Sequence, residues 1–87
     1  MKIKPGFLLR EVAGNTVAVP VGSGTVNFNG MITLSETGAL LWKKLENGAE
    51  ENELVEALLR EYEVDSDTAK LHVSKLVAKL SEYELLE

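Results

Sequence analysis

Eighty-seven residues make one domain, near the lower size limit at which a chain stabilises itself with its own core. An apolar fraction of 45% excludes disorder, and the absence of cysteine removes disulfides and thiolate metal sites and fits a reducing cytoplasm. A net charge of −5 counts against nucleic acid, whose binders need a basic footprint; "MKIKPGFLLREV", its apolar run broken at Arg10 and Glu11, is neither a signal peptide nor a membrane span.

Phe7 to Ala13 and Thr16 to Val21 flank Gly14-Asn15, which suits a two-residue type II′ loop with glycine first. Pairing across that loop gathers Leu8, Val12, Val17, Val19 and Val21 on one face, with Arg10 as the intruder. Leu9, Glu11, Ala13, Thr16 and Ala18 fall on the other. One apolar and one mixed face predict a sheet covered on a single side. Pro20, which has no N–H, predicts that regular pairing fades near it.

"FNGMITLSETG", Phe28 to Gly38, admits two readings. A turn at Asn29-Gly30 would set Asn27 against Ile32 and Val26 against Thr33, each a polar–apolar mismatch. A continuous strand puts Val26, Phe28, Ile32 and Leu34 together, with Asn27, Asn29, Met31 and Thr33 opposite. The second register has a coherent buried face, and Gly30 then marks a bulge or kink.

Helical spacing begins after Ser35, a good N-cap residue. The first helix presents Gly38, Leu41, Trp42 and Leu45 and ends at Asn47-Gly48; Gly38 inside it suggests close approach of another backbone. The second, about Glu51 to Glu61, carries Leu54, Val55, Leu58 and Leu59, with Tyr62 beyond its end. The third follows Asp65 as N-cap and carries Ala69, Val73, Leu76, Val77 and Leu80 as its core stripe. The order βββααα predicts an α+β domain, winged helix-turn-helix-like, with a three-stranded antiparallel sheet followed by three helices.

Catalytic constellations are missing: one histidine, no cysteine, no phosphate-cradling glycine loop and no Ser-His-Asp set. His72 is a half-exposed surface histidine or a partner contact, and a metal site would need further ligands beside it. "VDSDT" at Val64 to Thr68 could hold the prosthetic-group serine of an acyl carrier at Ser66, but such a carrier is all-helical and capping by Asp65 accounts for the same residues. A winged-helix transcriptional regulator is the alternative reading of the fold. Its recognition helix would begin with Asp65, Ser66 and Asp67, which repel phosphate. Lys70, Lys75 and Lys79 form a solvated face, or a flank that meets an acidic peptide. Trp42, Phe7 and Phe28 are core candidates. Between Thr25 and Thr33 there is no charged residue to blunt a strand edge, so that edge is either covered or kept open for an added strand.

The stretch "KPGFLLREVAGNTVAVPVGSGTVNFNGMITLSETGALLWKKLENGAEENELVEALLREYEVD" resembles the PqqD-like family, named for coenzyme PQQ synthesis protein D. Its most specific part is "FNGMITLSETGALLW" (Phe28 to Trp42), followed by a "LxxGAxxxELVxALxxEYxVD" segment. The resemblance implies a sheet on three helices, no catalysis and no cofactor. It implies a protein that binds the leader of a ribosomally made precursor peptide as an added strand and presents it to a radical S-adenosylmethionine enzyme. Carried onto this sequence, the strand is the stretch ending at Met31, Ile32, Thr33 and Leu34. Helical geometry adds His72, Lys75, Leu76 and Lys79 on the third helix. An unprotected edge could also pair with a second copy of the chain; neither nucleic acid nor membrane is expected as a partner.

Overall fold

The computed structural model describes residues 1–21 and 31–87. Its elements are β1 (Phe7–Val12), β2 (Asn15–Pro20), β3 (Ile32–Leu34), α1 (Glu36–Glu46), α2 (Glu51–Glu61) and α3 (Ser66–Glu82). The strands form an antiparallel sheet in the order β1-β2-β3, so the expected βββααα order is the observed one. The turn at Asn29-Gly30, the continuation of the third strand back to Val26, and the core role of Phe28 all lie outside the described residues.

The hairpin turns one residue earlier than a glycine-first loop would place it. Ala13 (φ 51°) and Gly14 (φ 82°) are both left-handed, the signature of a type I′ loop, whose twist matches that of the flanking strands. Gly14 adopts this conformation freely, whereas Ala13 does so at about 1 kcal/mol. The strands then pair from Val12↔Asn15 to Phe7↔Pro20, with Leu8 opposite Val19. The ladder ends at Phe7↔Pro20, as expected near a proline, with one further bond in which the Val21 amide donates to the Gly6 carbonyl at 2.7 Å. Hydrogen bonds to β1 therefore fall at Val21, Val19 and Val17, and Pro20 is not asked for one on that side.

The register keeps the predicted division of side chains between faces, but the helices cover the mixed face, while on the apolar one Val17 is also buried. Phe7, Leu9 and Ala18 point at the helices, while Leu8, Val12 and Val21 are exposed. The reason lies in β3. Its pairs Ala18↔Ile32 and Thr16↔Leu34 place Ile32 and Leu34 on the same face as Ala18. On the helix side Phe7 meets the fully buried Trp42 edge-on, at a 5.5 Å centroid distance and 77° between rings. Two large aliphatics and an aromatic pair bury more apolar surface than a row of valines. Valine content marked these residues as strand without saying which way they face.

Each helix has a side-chain cap. Ser35 Oγ accepts from the Gly38 amide at 3.1 Å, and Asp65 Oδ1 accepts from the Thr68 amide at 2.7 Å. At α2 the Glu50 amide donates to Glu53 Oε1 at 2.9 Å as half of a reciprocal capping box. α1 ends at Asn47, with Gly48 at φ 90°. The buried stripes are Leu41, Trp42 and Leu45 on α1, Leu54, Ala57 and Leu58 on α2, and Ala69, Val73, Leu76 and Leu80 on α3. Leu59 is exposed; it stands about 100° around the helix from Leu58, and the small Ala57 fills the buried edge instead. The indole N–H of Trp42 has no acceptor among the described residues, so packing holds the ring. Gly38 does not face another backbone: a Cβ there would lie 3.2 Å from Ser35 Oγ and 3.7 Å from Leu34 Cβ.

The core also takes in Ile3 and Leu85. Ile3 bridges Leu86, the Lys4 amide donates to the Leu85 carbonyl at 2.8 Å, and the Ile3 amide donates to the Leu45 carbonyl at 3.0 Å. The chain reaches this position after α3 through Glu84 at φ 59°, with no glycine to announce the turn.

Candidate functional site

β3 is an edge strand: among the described residues, no strand pairs with its outer side. The alternation set by Val21 and Gly6 makes the odd residues of β2 bond to β1 and the even ones to β3. Ile32 and Leu34, opposite Ala18 and Thr16, therefore spend their backbone groups on β2. The N–H and C=O of Thr33 point the other way, out from the sheet edge.

Beyond that edge lies a groove of about 270 Å³. One wall is the β3–α1 junction, with Thr33, Leu34, Ser35, Thr37, Gly38 and Leu41. The other is α3, with Leu71, His72, Lys75, Leu76 and Lys79. On α3 these residues fall on two adjacent ridges spaced by four, 71–75–79 and 72–76. The second ridge borders the core, where Leu76 is buried; the first is exposed along its length. Leu71 stands 52% exposed at one end of it.

The walls are linked at one point. His72 Nδ1 lies 3.3 Å from Thr37 Oγ1, which lies 3.2 Å from Ser35 Oγ, the oxygen that caps α1. The floor at Gly38 is held low because any side chain there would crowd that oxygen. Of the positions expected on the strand and the helix, the structure brings together Thr33, Leu34, His72, Lys75, Leu76 and Lys79. The lining does not reach Met31 or Ile32. Ile32 is 2% exposed with its side chain in the core, and Met31 is 64% exposed beyond the start of β3.

Ser35, Thr37, Gly38, Leu41 and Leu71 also line the groove and were not anticipated. The signal for Leu71 was its place four residues before Lys75, off the core stripe. Ser35, Thr37 and Gly38 sat inside a capping motif and Leu41 on the core stripe of α1, local roles that masked a second one. Among the described residues, no cluster of three His, Asp or Glu side chains comes together to hold a metal, and no helix is long and apolar enough to cross a membrane. At the start of α3, hydrogen bonds from Thr68, its hydroxyl first and then its amide, hold the Asp65 carboxyl below its ordinary value. That helix end is therefore anionic at neutral pH.

The family model for coenzyme PQQ synthesis protein D matches residues 10–86. The chain belongs to the PqqD family. Two solved structures are similar to this family member over nearly its whole length. One is TbiB1 in complex with the TbiA(beta) leader peptide, 29% identical with a TM-score of 0.73, matched over 100% of this chain and 95% of that one. The other is a lasso peptide synthetase B1 complexed with the leader peptide, 25% identical with a TM-score of 0.68, matched over 93% and 89%. No curated protein matches the chain.

Proposed function

We propose that this PqqD-family chain is a non-enzymatic peptide chaperone. It takes the leader of a ribosomally made precursor as an added strand against β3 and presents that precursor to a radical S-adenosylmethionine enzyme. The observation that carries the reading is the outward-facing N–H and C=O of Thr33 at an edge that borders a groove lined by α3. Main-chain groups at such an edge supply affinity with little demand on sequence, and the facing side chains select among peptides. Two similar structures are complexes with leader peptides, which supports the same kind of ligand here. The enzyme partner rests on the family resemblance.

Addition of the leader of the precursor encoded beside this chain's gene, followed by amide NMR, tests the reading. Shifts concentrated at Thr33–Leu34 and along α3 are expected. Shifts confined elsewhere, or none, would refute it. Retention of the modifying enzyme on the immobilised protein tests the presentation step separately.

A further inference from the structure

The groove has a chemical polarity along α3. From Leu71 to Lys79 the helix rises about 12 Å, at about 1.5 Å per residue. An extended peptide advances about 3.3 Å per residue with alternate side chains on one face. The groove therefore accommodates roughly four extended residues, two of which face α3 about 6.6 Å apart. At one end the exposed Leu71 offers an apolar seat. Lys75 and Lys79 follow on the same ridge, each one helical turn, about 6 Å, further along. The protein as a whole carries a net charge of −5, yet every ionisable side chain lining the groove is basic: His72, Lys75 and Lys79. His72 already has Thr37 as a partner. Among the described residues, neither lysine is joined to a carboxylate by an ion pair.

We infer that the groove selects a two-residue pattern: a large apolar side chain and an acidic side chain two positions apart on an extended peptide. The apolar group seats on Leu71, and the carboxylate meets Lys75, with Lys79 one turn beyond it. This specificity rests on the proposal that β3 accepts an added strand. Strand pairing puts residues i and i+2 on the same face, and the rise from Leu71 to Lys75, about 6 Å, matches that step. A pattern with the two groups adjacent would put one of them on the far side.

Synthetic decapeptides in a common Ser/Thr/Val host test this by fluorescence anisotropy at low salt. They carry Leu-x-Glu, Glu-x-Leu, Leu-x-Gln, Leu-x-Lys or adjacent Leu-Glu. At least one of the first two should bind tighter than the Gln peptide by roughly two- to fivefold for each lysine engaged, and this margin should shrink at high salt. The adjacent pair should bind no better than the Gln peptide. Charge reversal in K75E/K79E, two exposed sites, should transfer the preference to the Lys peptide. Leu71→Ser should weaken all the Leu-x peptides by roughly fivefold, half of a full leucine burial. Equal binding of the Glu, Gln and Lys peptides overturns the inference, as does failure of all of them to bind. The genuine leader separates the two proposals. If it shifts β3 and α3 resonances but binds K75E/K79E as well as wild type, leader recognition stands and the acidic readout falls. If it does not bind β3 at all, strand addition falls first.

Discussion

Proline substitution at two neighbouring positions of β3 separates the edge that holds the sheet from the edge offered to a ligand. β3 pairs with β2 over only three positions, Ile32↔Ala18, Thr33↔Val17 and Leu34↔Thr16, and the ladder alternation assigns the N–H of Ile32 to Ala18 and the N–H of Thr33 to the open side. Ile32→Pro removes a ladder bond worth about 1 kcal/mol, and it leaves a buried carbonyl without its donor for a further 1–3 kcal/mol or so. It also trims a side chain that is 2% exposed, for roughly 1–3 kcal/mol more. The sum, on the order of 3–7 kcal/mol, is enough to unfold a small domain. Thr33→Pro removes an N–H that faces solvent on an edge strand, where proline is tolerated, and should cost about 1 kcal/mol or less. The same ring occupies the line of approach of an added strand and deletes one of its donors, so leader affinity should fall at least about tenfold. Urea unfolding followed by anisotropy titration with the leader reads both quantities. If Thr33→Pro destabilises as much as Ile32→Pro, the assignment of backbone groups to the two edges is wrong. If it is stable and binds leader like wild type, the ligand does not add to β3.

Ala13→Asn should stabilise the hairpin by about 0.5–1 kcal/mol in thermal unfolding, because Asn tolerates the left-handed conformation that Ala13 holds at φ 51°. Gly14→Ala should cost about 1 kcal/mol by backbone strain alone, since nothing lies within 4 Å of a Cβ there. Gly38→Ala would gain about 1 kcal/mol of helix propensity, but its Cβ would press on Ser35 Oγ at 3.2 Å. The gain should therefore be larger in a Ser35→Ala background than in wild type, and equal gains in both would remove the crowding argument. Asp65 titrates below its ordinary value of 3.8 in the folded chain, so its contribution is full above that pH and is lost as pH falls through the lower folded value. Stability of wild type relative to Asp65→Asn should accordingly drop on acidification from pH 5 toward 3, and a flat difference would discard the assignment.

The helices were legible because each carries its own start signal. Ser35 and Asp65 cap as expected, and the stripes Leu41–Trp42–Leu45 and Ala69–Val73–Leu76–Leu80 follow helical period. The sheet was legible in order but not in orientation. Alternation fixes which residues share a face, whereas the covered face is chosen by partners far along the chain, here Trp42 against Phe7. Ala13 in a left-handed turn gave no local signal, since alanine rarely adopts one. Ile3 and Leu85 were invisible for a related reason: one bridged pair has no period to detect. At the groove, periodicity found the lysine ridge of α3. It could not find the floor at Gly38 and Leu41, because those positions already had a sufficient explanation within α1.

The division of α3 into two ridges has an engineering meaning. Ala69, Val73, Leu76 and Leu80 are committed to the core, while Leu71, Lys75 and Lys79 touch only the groove and solvent. On the proposed reading, foldedness and choice of ligand are written on different lines of one helix. A graft that replaces those three exposed residues with another family member's set should exchange peptide preference and leave the unfolding transition where it was.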